Sequence, residues 1–166
     1  WAGRKNAFPA VGRMSPDYYC MDGTIPRREL PRVLKGIAAL SEESGLAVAN
    51  VFHAGDGNMH PLILFDANKE GQLALAEEVG GKILELCVAA GGSITGEHGV
   101  GREKINQMCS QFQADEISVF HALKAAFDPQ RLLNPGKNIP TLARCAEFGA
   151  MHVHNNELPH PELPRF

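Results

Sequence analysis

Apolar residues recur along the chain at intervals of three and four, and this spacing predicts three amphipathic helices. Their apolar positions are Leu30, Val33, Leu34, Ile37 and Leu40 in the first, Ala76, Val79, Ile83, Leu86 and Ala90 in the second, and Ile117, Phe120 and Phe127 in the third. Pro31 suits the first turn of the first helix, and Gly45 and Gly91 follow the ends of the first two.

The segment between the first two helices has a different pattern, with a β-prone run on each side of an Asp-Gly pair. Leu46 to His53 and His60 to Phe65 are the predicted strands. A two-residue turn at Asp56-Gly57 would place His53 directly opposite His60.

Two segments before the first helix lack helical spacing. Phe8 to Met14 contains Pro9 and Gly12 and is predicted to be a surface loop, whereas Tyr18 to Pro26 is predicted to be extended. The order helix, strand, strand, helix predicts an α+β fold in which helices pack on an antiparallel sheet.

Composition excludes several classes of protein. The chain has 166 residues, which suits one domain, and its net charge of -3 gives no basic patch for nucleic acid. No stretch approaches the ~18 apolar residues of a membrane-spanning helix. The four cysteines are scattered, with no C-x-x-C pair, so they predict reduced thiols and neither disulfides nor an iron–sulfur site. They are Cys20, Cys87, Cys109 and Cys145.

The candidate chemistry lies in the predicted hairpin and in a glycine-rich segment after the second helix. His53, His60 and Glu97 form a ligand set typical of zinc or another divalent metal with open positions. His98 remains available as a general base, because glycines beside Glu97 and His98 allow both side chains to face one side. Asp56 and Asn58 are predicted to cap the turn or to hydrogen-bond to the histidines. The alternative is a hairpin whose histidines only pack.

Several motifs resemble the C-terminal part of the FAD-linked 2-hydroxy-acid dehydrogenases. This group lies in the vanillyl-alcohol oxidase superfamily and includes D-lactate and D-2-hydroxyglutarate dehydrogenases, and the likeness is greatest to its glycolate-oxidising bacterial members. The motifs fall in the family's order and span nearly the whole chain. They are residues 1–5, 18–22, 53–61, 91–101, 127–129, 133–137 and 145–154.

The resemblance implies a ferredoxin-like C-terminal cap domain that binds substrate, over residues 1–140, followed by an irregular tail over residues 141–166. There is no initiator methionine, and the family's FAD-binding domain lies upstream of the matching motifs. The chain is therefore expected to be an incomplete domain from about the last third of a subunit. Alone it is expected to be inactive.

The resemblance also implies a reaction, in which a 2-hydroxy acid of the glycolate or D-lactate type is oxidised with hydride transfer to FAD. Arg4 would bind the substrate carboxylate, and Asn134 would lie near the flavin. The metal would be zinc, manganese or iron. Phe8 and Cys20 stand where relatives that use longer acids have Thr and Lys, which indicates a smaller pocket.

Implied partners are other oxidase subunits, including an iron–sulfur subunit, in the cytoplasm or at the inner face of the membrane. A chain cut from a larger core would also self-associate through apolar surface. Three alternative functions remain open. They are a D-2-hydroxyglutarate-type dehydrogenase fragment, a metal-dependent hydrolase that uses His53, His60 and Glu97, and a non-catalytic subunit-docking module.

Overall fold

The computed structural model describes residues 2–145, apart from the side chains of Arg4, Lys5, Leu142 and Ala143. The chain divides into two compact units, of which the first ends at His98 and the second begins at Gly99. Within the described range, no helix combines the length and the apolar character needed to cross a membrane.

The first unit is an antiparallel sheet with packed helices, so the predicted α+β class is confirmed. Strand β4 is central, because β1 and β2 pair with one of its edges and β3 with the other. A single 3₁₀ turn, Arg27–Glu29, precedes α3. The elements are α1 Ala2–Lys5, α2 Ala7–Val11, β1 Asp17–Cys20, β2 Gly23–Thr24, α3 Leu30–Ser44, β3 Val48–His53, β4 Asn58–Phe65 and α4 Gln72–Ala89.

Both faces of β4 are covered, and all eight of its residues are buried. Tyr19 of β1 pairs with Ile63 and lies against Gly80 of α4, so this face of the sheet meets the helices. On the opposite face Leu62 and Leu64 pack against Val11 of α2. Burial on both faces accounts for the continuous apolar run of this strand.

The predicted hairpin exists, but its register is different. The structure pairs His53 with Asn58 and Val51 with His60, so His53 and His60 are not directly opposed. The turn contains four residues, since the backbone N–H groups of Asp56 and Gly57 both donate to the carbonyl of His53, at 3.0 Å each. The prediction of a two-residue turn is wrong because this double hydrogen bond closes the loop two residues earlier on the first strand, so that His53 takes the place opposite Asn58 that Gly55 was predicted to have.

The segment predicted as a surface loop begins with a helix, α2. Pro9 is the third residue of α2, in the first turn, where a proline ring is tolerated because the missing N–H has no partner in the helix. Val11 then anchors the helix by packing on Leu62 and Leu64 of the sheet. Tertiary packing therefore overrides the loop signal of Pro9 and Gly12.

The second unit is helical, with α5 Ile105–Gln111, α6 Ala114–Phe127 and α7 Leu142–Cys145. A capping box between Gln113 and Glu116 begins α6. Only part of the predicted apolar stripe of α6 is buried in the structure, since Ile117 is inaccessible whereas Phe127 is 80% exposed. The predicted boundary at residues 140–141 stays a prediction, because residues 146–166 lie outside the described range.

Cys109 in α5 and Cys145 in α7 form a disulfide. The prediction of four reduced thiols is therefore wrong for this pair, although Cys20 and Cys87 are outside any disulfide. A separation of 36 residues carries no pairing signal in the sequence. The two cysteines meet because α5 and α7 pack together.

Replacing Gly57 with alanine should destabilise the fold through the hairpin turn. Gly57 has a φ of 76°, a left-handed conformation that costs an L-residue about 1–2 kcal/mol. A Cβ there would also overlap the carbonyl oxygen of Ile25, which raises the cost further. Thermal or urea unfolding of Gly57→Ala measures the loss.

Gly55→Ala is the matched control in the same turn. A Cβ at Gly55 would meet no atom within 4 Å, so this variant should stay within about 0.5 kcal/mol of the parent protein. Equal unfolding midpoints for the two variants would contradict the role assigned to Gly57.

Candidate functional site

The candidate site lies on the face of the sheet that does not meet α3 and α4. Asn58 and His60 are two residues apart on β4, so their side chains point to the same face. His53 is paired with Asn58 across the ladder, which makes His53 and His60 diagonal neighbours on that face. Their ring centroids are 5.2 Å apart, at an interplanar angle of 81°.

Glu97 and His98 are brought to this face by the segment that follows α4. Ser93 bridges to Thr24 of β2 through two backbone hydrogen bonds, of 2.9 and 3.0 Å. Gly96 then passes so close to the side chain of Asn58 that a Cβ would collide with it. Glycine, which has no Cβ, allows this close approach. In the same segment the ring of His98 stacks on that of His60, with centroids 5.2 Å apart.

The side chains of His53, His60 and Glu97 converge. Nε2 of His53 lies 3.4 Å from Oε1 of Glu97, and Nε2 of His60 lies 3.7 Å from Oε2. One ligand atom from each of the three residues lies within 4.8 Å of the others. Ligands at about 2.0–2.2 Å from a tetrahedral ion are about 3.3–3.6 Å apart, so the donor set fits a divalent cation.

Hydrogen bonding fixes how His60 presents its ring. Nδ1 lies 3.2 Å from the carbonyl oxygen of Met21, which only accepts hydrogen bonds, so the proton is on Nδ1. In the neutral ring Nε2 then carries a lone pair that faces Glu97. The amide nitrogen of Asn58 lies 3.4 Å from the same Nε2. Among the described residues none donates to the buried Oδ1 of Asn58, so the site holds a spare acceptor.

A cavity of about 230 Å³ opens beside these groups. Four of the residues that line it are polar, namely His53, His60, Glu97 and His98, and the rest of the lining is largely apolar, formed by Phe8, Cys20 and Val51. His60 is almost fully buried, with 7% of its side chain exposed, whereas Glu97 is 52% exposed. Of these two candidate metal ligands, the imidazole of His60 is therefore enclosed and the carboxylate of Glu97 is accessible to solvent.

The other predicted site residues lie in the hairpin, in α1 and in the second unit. Asp56 lies in the exposed turn of the hairpin, and the side-chain amide nitrogen of Asn58 lies 3.4 Å from Nε2 of His60. Arg4 is in α1, but its side chain is outside the described part of the structure. Asn134 is in an exposed turn of the second unit, where its side chain lies 3.5 Å from Nζ of Lys137.

Asp22 is the residue that sequence reasoning missed. It is fully buried, and its carboxylate accepts hydrogen bonds from Thr95 and from the backbone of Gly96, Glu97 and His98. Asp22 lies in residues 18–22, one of the motifs that carry the family resemblance. Its donors lie more than 70 residues further along the chain, so no local pattern could have linked them.

Comparison with known proteins gives a family match over most of the chain. A family model described as "FAD linked oxidases, C-terminal domain" matches residues 1–138. The match confirms the family resemblance drawn from the sequence motifs. It covers all of the first unit and much of the second.

Individual relatives agree with this match. The chain is 80% identical over its 166 residues to the glycolate oxidase subunit GlcD of Escherichia coli (strain K12), of which it covers 33%. It is 36% identical over 141 residues, 85% of this chain, to the GlcD subunit of Bacillus subtilis, of which 30% is covered. It is 32% identical over 142 residues, 84% of this chain, to the mitochondrial D-lactate dehydrogenase (cytochrome) of Arabidopsis thaliana, of which 25% is covered. The chain thus spans at most about a third of the length of these proteins.

The hydrogen bond to Met21 predicts the tautomer of His60. Neutral His60 should carry its proton on Nδ1, which leaves Nε2 unprotonated and directed at Glu97. Nitrogen-15 NMR distinguishes the two ring nitrogens by their chemical shifts. His121, whose Nε2 lies 2.9 Å from the carbonyl oxygen of Pro140, is the internal comparison and should carry its proton on Nε2. The same tautomer at both histidines would contradict the assignment.

Proposed function

The chain belongs to the family of FAD linked oxidases, C-terminal domain, and we propose that it forms the substrate- and metal-binding part of a flavin-dependent 2-hydroxy-acid oxidoreductase. The proposed substrates are small acids of the glycolate or D-lactate type. The observation that carries this proposal is the convergence of His53, His60 and Glu97 on one cavity, with His98 stacked beside them.

The proposed metal ligands are Nε2 of His53, Nε2 of His60 and the carboxylate of Glu97. A bound zinc, manganese or iron ion would supply Lewis acidity, which lowers the pKa of a coordinated hydroxyl. Two neutral imidazoles and one carboxylate leave coordination positions open for the substrate. The approach of Nε2 of His60 to the carboxylate of Glu97 supports this assignment, because a lone pair and an anion that face each other repel, and a cation between them would remove the repulsion.

His98 is the proposed general base. Its ring lines the same cavity and lies on the ring of His60, so it is within reach of a hydroxyl held at the ligand set. Imidazole is the side chain best suited to accept a proton near neutral pH. The α-hydrogen of the acid leaves as hydride, for which FAD is the acceptor when bound.

The apolar part of the lining supports a preference for short acids. Phe8, Cys20 and Val51 line the cavity together with the polar groups, and they offer no cation for a second carboxylate. This favours glycolate or lactate over a D-2-hydroxyglutarate-type substrate. Arg4, in α1, is proposed to bind the single carboxylate through its planar guanidinium.

The flavin and the partner subunits are further parts of the proposal. FAD is proposed to bind mainly to sequence that the relatives have and this chain does not span, with Asn134 near it. Two of the relatives are named as subunits, which supports a multi-subunit oxidase. An iron–sulfur subunit is the proposed electron-accepting partner. A hydrolase that uses the same ligand set has no comparable support, since the family is one of oxidases.

Histidine variants test the assignment of ligand and base. His53→Ala should lose the metal, because it removes one of three ligands, and its turnover should recover in part with excess metal. His98→Ala should keep the metal but lower turnover by about 10²–10⁴-fold, the usual contribution of a positioned general base. Metal content and turnover of the flavin-loaded protein are measured for both.

His121→Ala is the control, since His121 lies in the second unit and bonds to Pro140. It should change neither metal content nor turnover. An empty site in His98→Ala together with a full one in His53→Ala would reverse the two roles.

Alkylation of Cys20 tests acid binding without the need for flavin. Cys20 lines the cavity, so glycolate together with Zn²⁺ should shield it from iodoacetamide. At ten times its Kd glycolate should slow labelling about tenfold, in proportion to occupancy. Mass spectrometry follows the rate.

Acetate with Zn²⁺ is the matched control, because it lacks the 2-hydroxyl and should protect much less. Cys87 is the internal reference, since burial raises the pKa of its thiol to about 12 and it should stay unlabelled throughout. Equal protection by acetate and glycolate would contradict a site that selects 2-hydroxy acids.

A further inference from the structure

We propose that Asp22 is the positioning residue of the site, whose buried carboxylate sets where Glu97 and His98 present their side chains. This inference rests on the proposed function, because it explains how the proposed third metal ligand and the proposed base are held together. Asp22 lies in the short connection between β1 and β2.

The carboxylate of Asp22 is surrounded by donors from one short segment. Oδ2 accepts from Oγ1 of Thr95 at 2.9 Å, from the backbone of Gly96 at 3.1 Å and from the backbone of His98 at 2.9 Å. The N–H of Glu97 lies 3.1 Å from both carboxylate oxygens. Three consecutive N–H groups therefore point at one anion.

The hydrogen bonds to Asp22 explain how the adjacent residues Glu97 and His98 place their side chains on one side of the chain. On a regular strand the side chains of Glu97 and His98 would point to opposite faces. Successive N–H groups converge on an anion only where the chain curls, as in backbone nests. The curl around Asp22 places the carboxylate of Glu97 beside His53 and the ring of His98 on His60.

Full burial makes Asp22 a rigid anchor. The residue has no exposed surface, and a buried carboxylate is stable only when hydrogen bonds replace its hydration. Those hydrogen bonds come mainly from the segment to be positioned, so any displacement of that segment would leave the charge poorly solvated. The same anion therefore orders the segment strongly.

Asp22 is also close enough to His60 and His98 to suggest a second set of metal ligands. One ligand atom from each of these three residues lies within 4.8 Å of the others. However, Oδ2 of Asp22 already accepts several hydrogen bonds, and both oxygens contact the N–H of Glu97. A metal would have to displace these donors, so Asp22 acts through the backbone and not as a ligand.

The test compares two variants at the anchor with one control elsewhere. Asp22→Asn keeps the shape but replaces one acceptor oxygen with an NH₂ group that faces N–H donors. Thr95→Val removes a single donor and leaves the carboxylate in place. The control is Asp128→Asn in the second unit, where another buried carboxylate accepts from the backbone of Leu132 and Leu133, at 2.9 Å each.

Two readouts are measured on the purified protein, namely the Kd for Zn²⁺ alone and the exchange rates of the backbone amides of Gly96, Glu97 and His98 without metal. Asp22→Asn should weaken Zn²⁺ binding by about 10–100-fold, as expected when support of a metal ligand is lost. It should also speed exchange at all three amides. Thr95→Val should move both readouts in the same direction, by about 3–10-fold in Kd.

Asp128→Asn separates positioning from stability, because it should lower the unfolding temperature while leaving the Kd for Zn²⁺ within about twofold. An equal loss of affinity in Asp128→Asn would overturn the proposal. Unchanged affinity and amide exchange in Asp22→Asn would overturn it as well. If Asp22→Asn does not fold, Thr95→Val decides between the same outcomes.

Zn²⁺ binding and amide exchange together distinguish a failure of this inference from a failure of the proposed function. If the parent protein binds no Zn²⁺, the metal assignment fails, and amide exchange alone then decides whether Asp22 holds the segment. If the parent binds Zn²⁺ and the variants bind it equally well, the metal site stands and the role of Asp22 is wrong.

Discussion

The pairing of β4 with its neighbours is the constraint on which the rest of the first unit depends. Every residue of β4 is buried, and the strand is hydrogen-bonded on both edges, so its register and its faces are fixed together. One face, which includes Ile63 and its partner Tyr19, packs against the helices. The other carries Asn58 and His60 and becomes the floor of the candidate site.

The site is built from three parts of the chain that only the sheet brings together. The hairpin provides His53 and His60, the segment after α4 provides Glu97 and His98, and the connection between β1 and β2 provides Asp22. Rigid strands hold the two histidines, whereas an irregular segment holds the acid and the base. Such a segment needs its own support, and Asp22 supplies it through the backbone.

The chemistry proposed for the site follows from the mixed lining of the cavity. Imidazole nitrogens and a carboxylate provide its polar groups, and Phe8, Cys20 and Val51 provide its apolar surface. A small acid would place its hydroxyl and its one carboxylate at the polar groups while its short chain contacts the apolar side chains. Its orientation would then be fixed before any hydride leaves, which is how positioning lowers a barrier.

The sequence by itself determined the three amphipathic helices, the hairpin and the α+β class, and it singled out His53, His60, Glu97 and His98 as candidates, because these inferences depend on local spacing and on side-chain chemistry. His53 and His60 share a face in the structure despite the wrong register, since the predicted and observed pairings differ by two residues and side chains alternate with a period of two. Only the tertiary structure decided the register, the helix at Phe8, the disulfide between Cys109 and Cys145, and the role of Asp22. Each depends on contacts between residues far apart in the chain or on packing against the sheet, and local spacing carries no signal for such contacts.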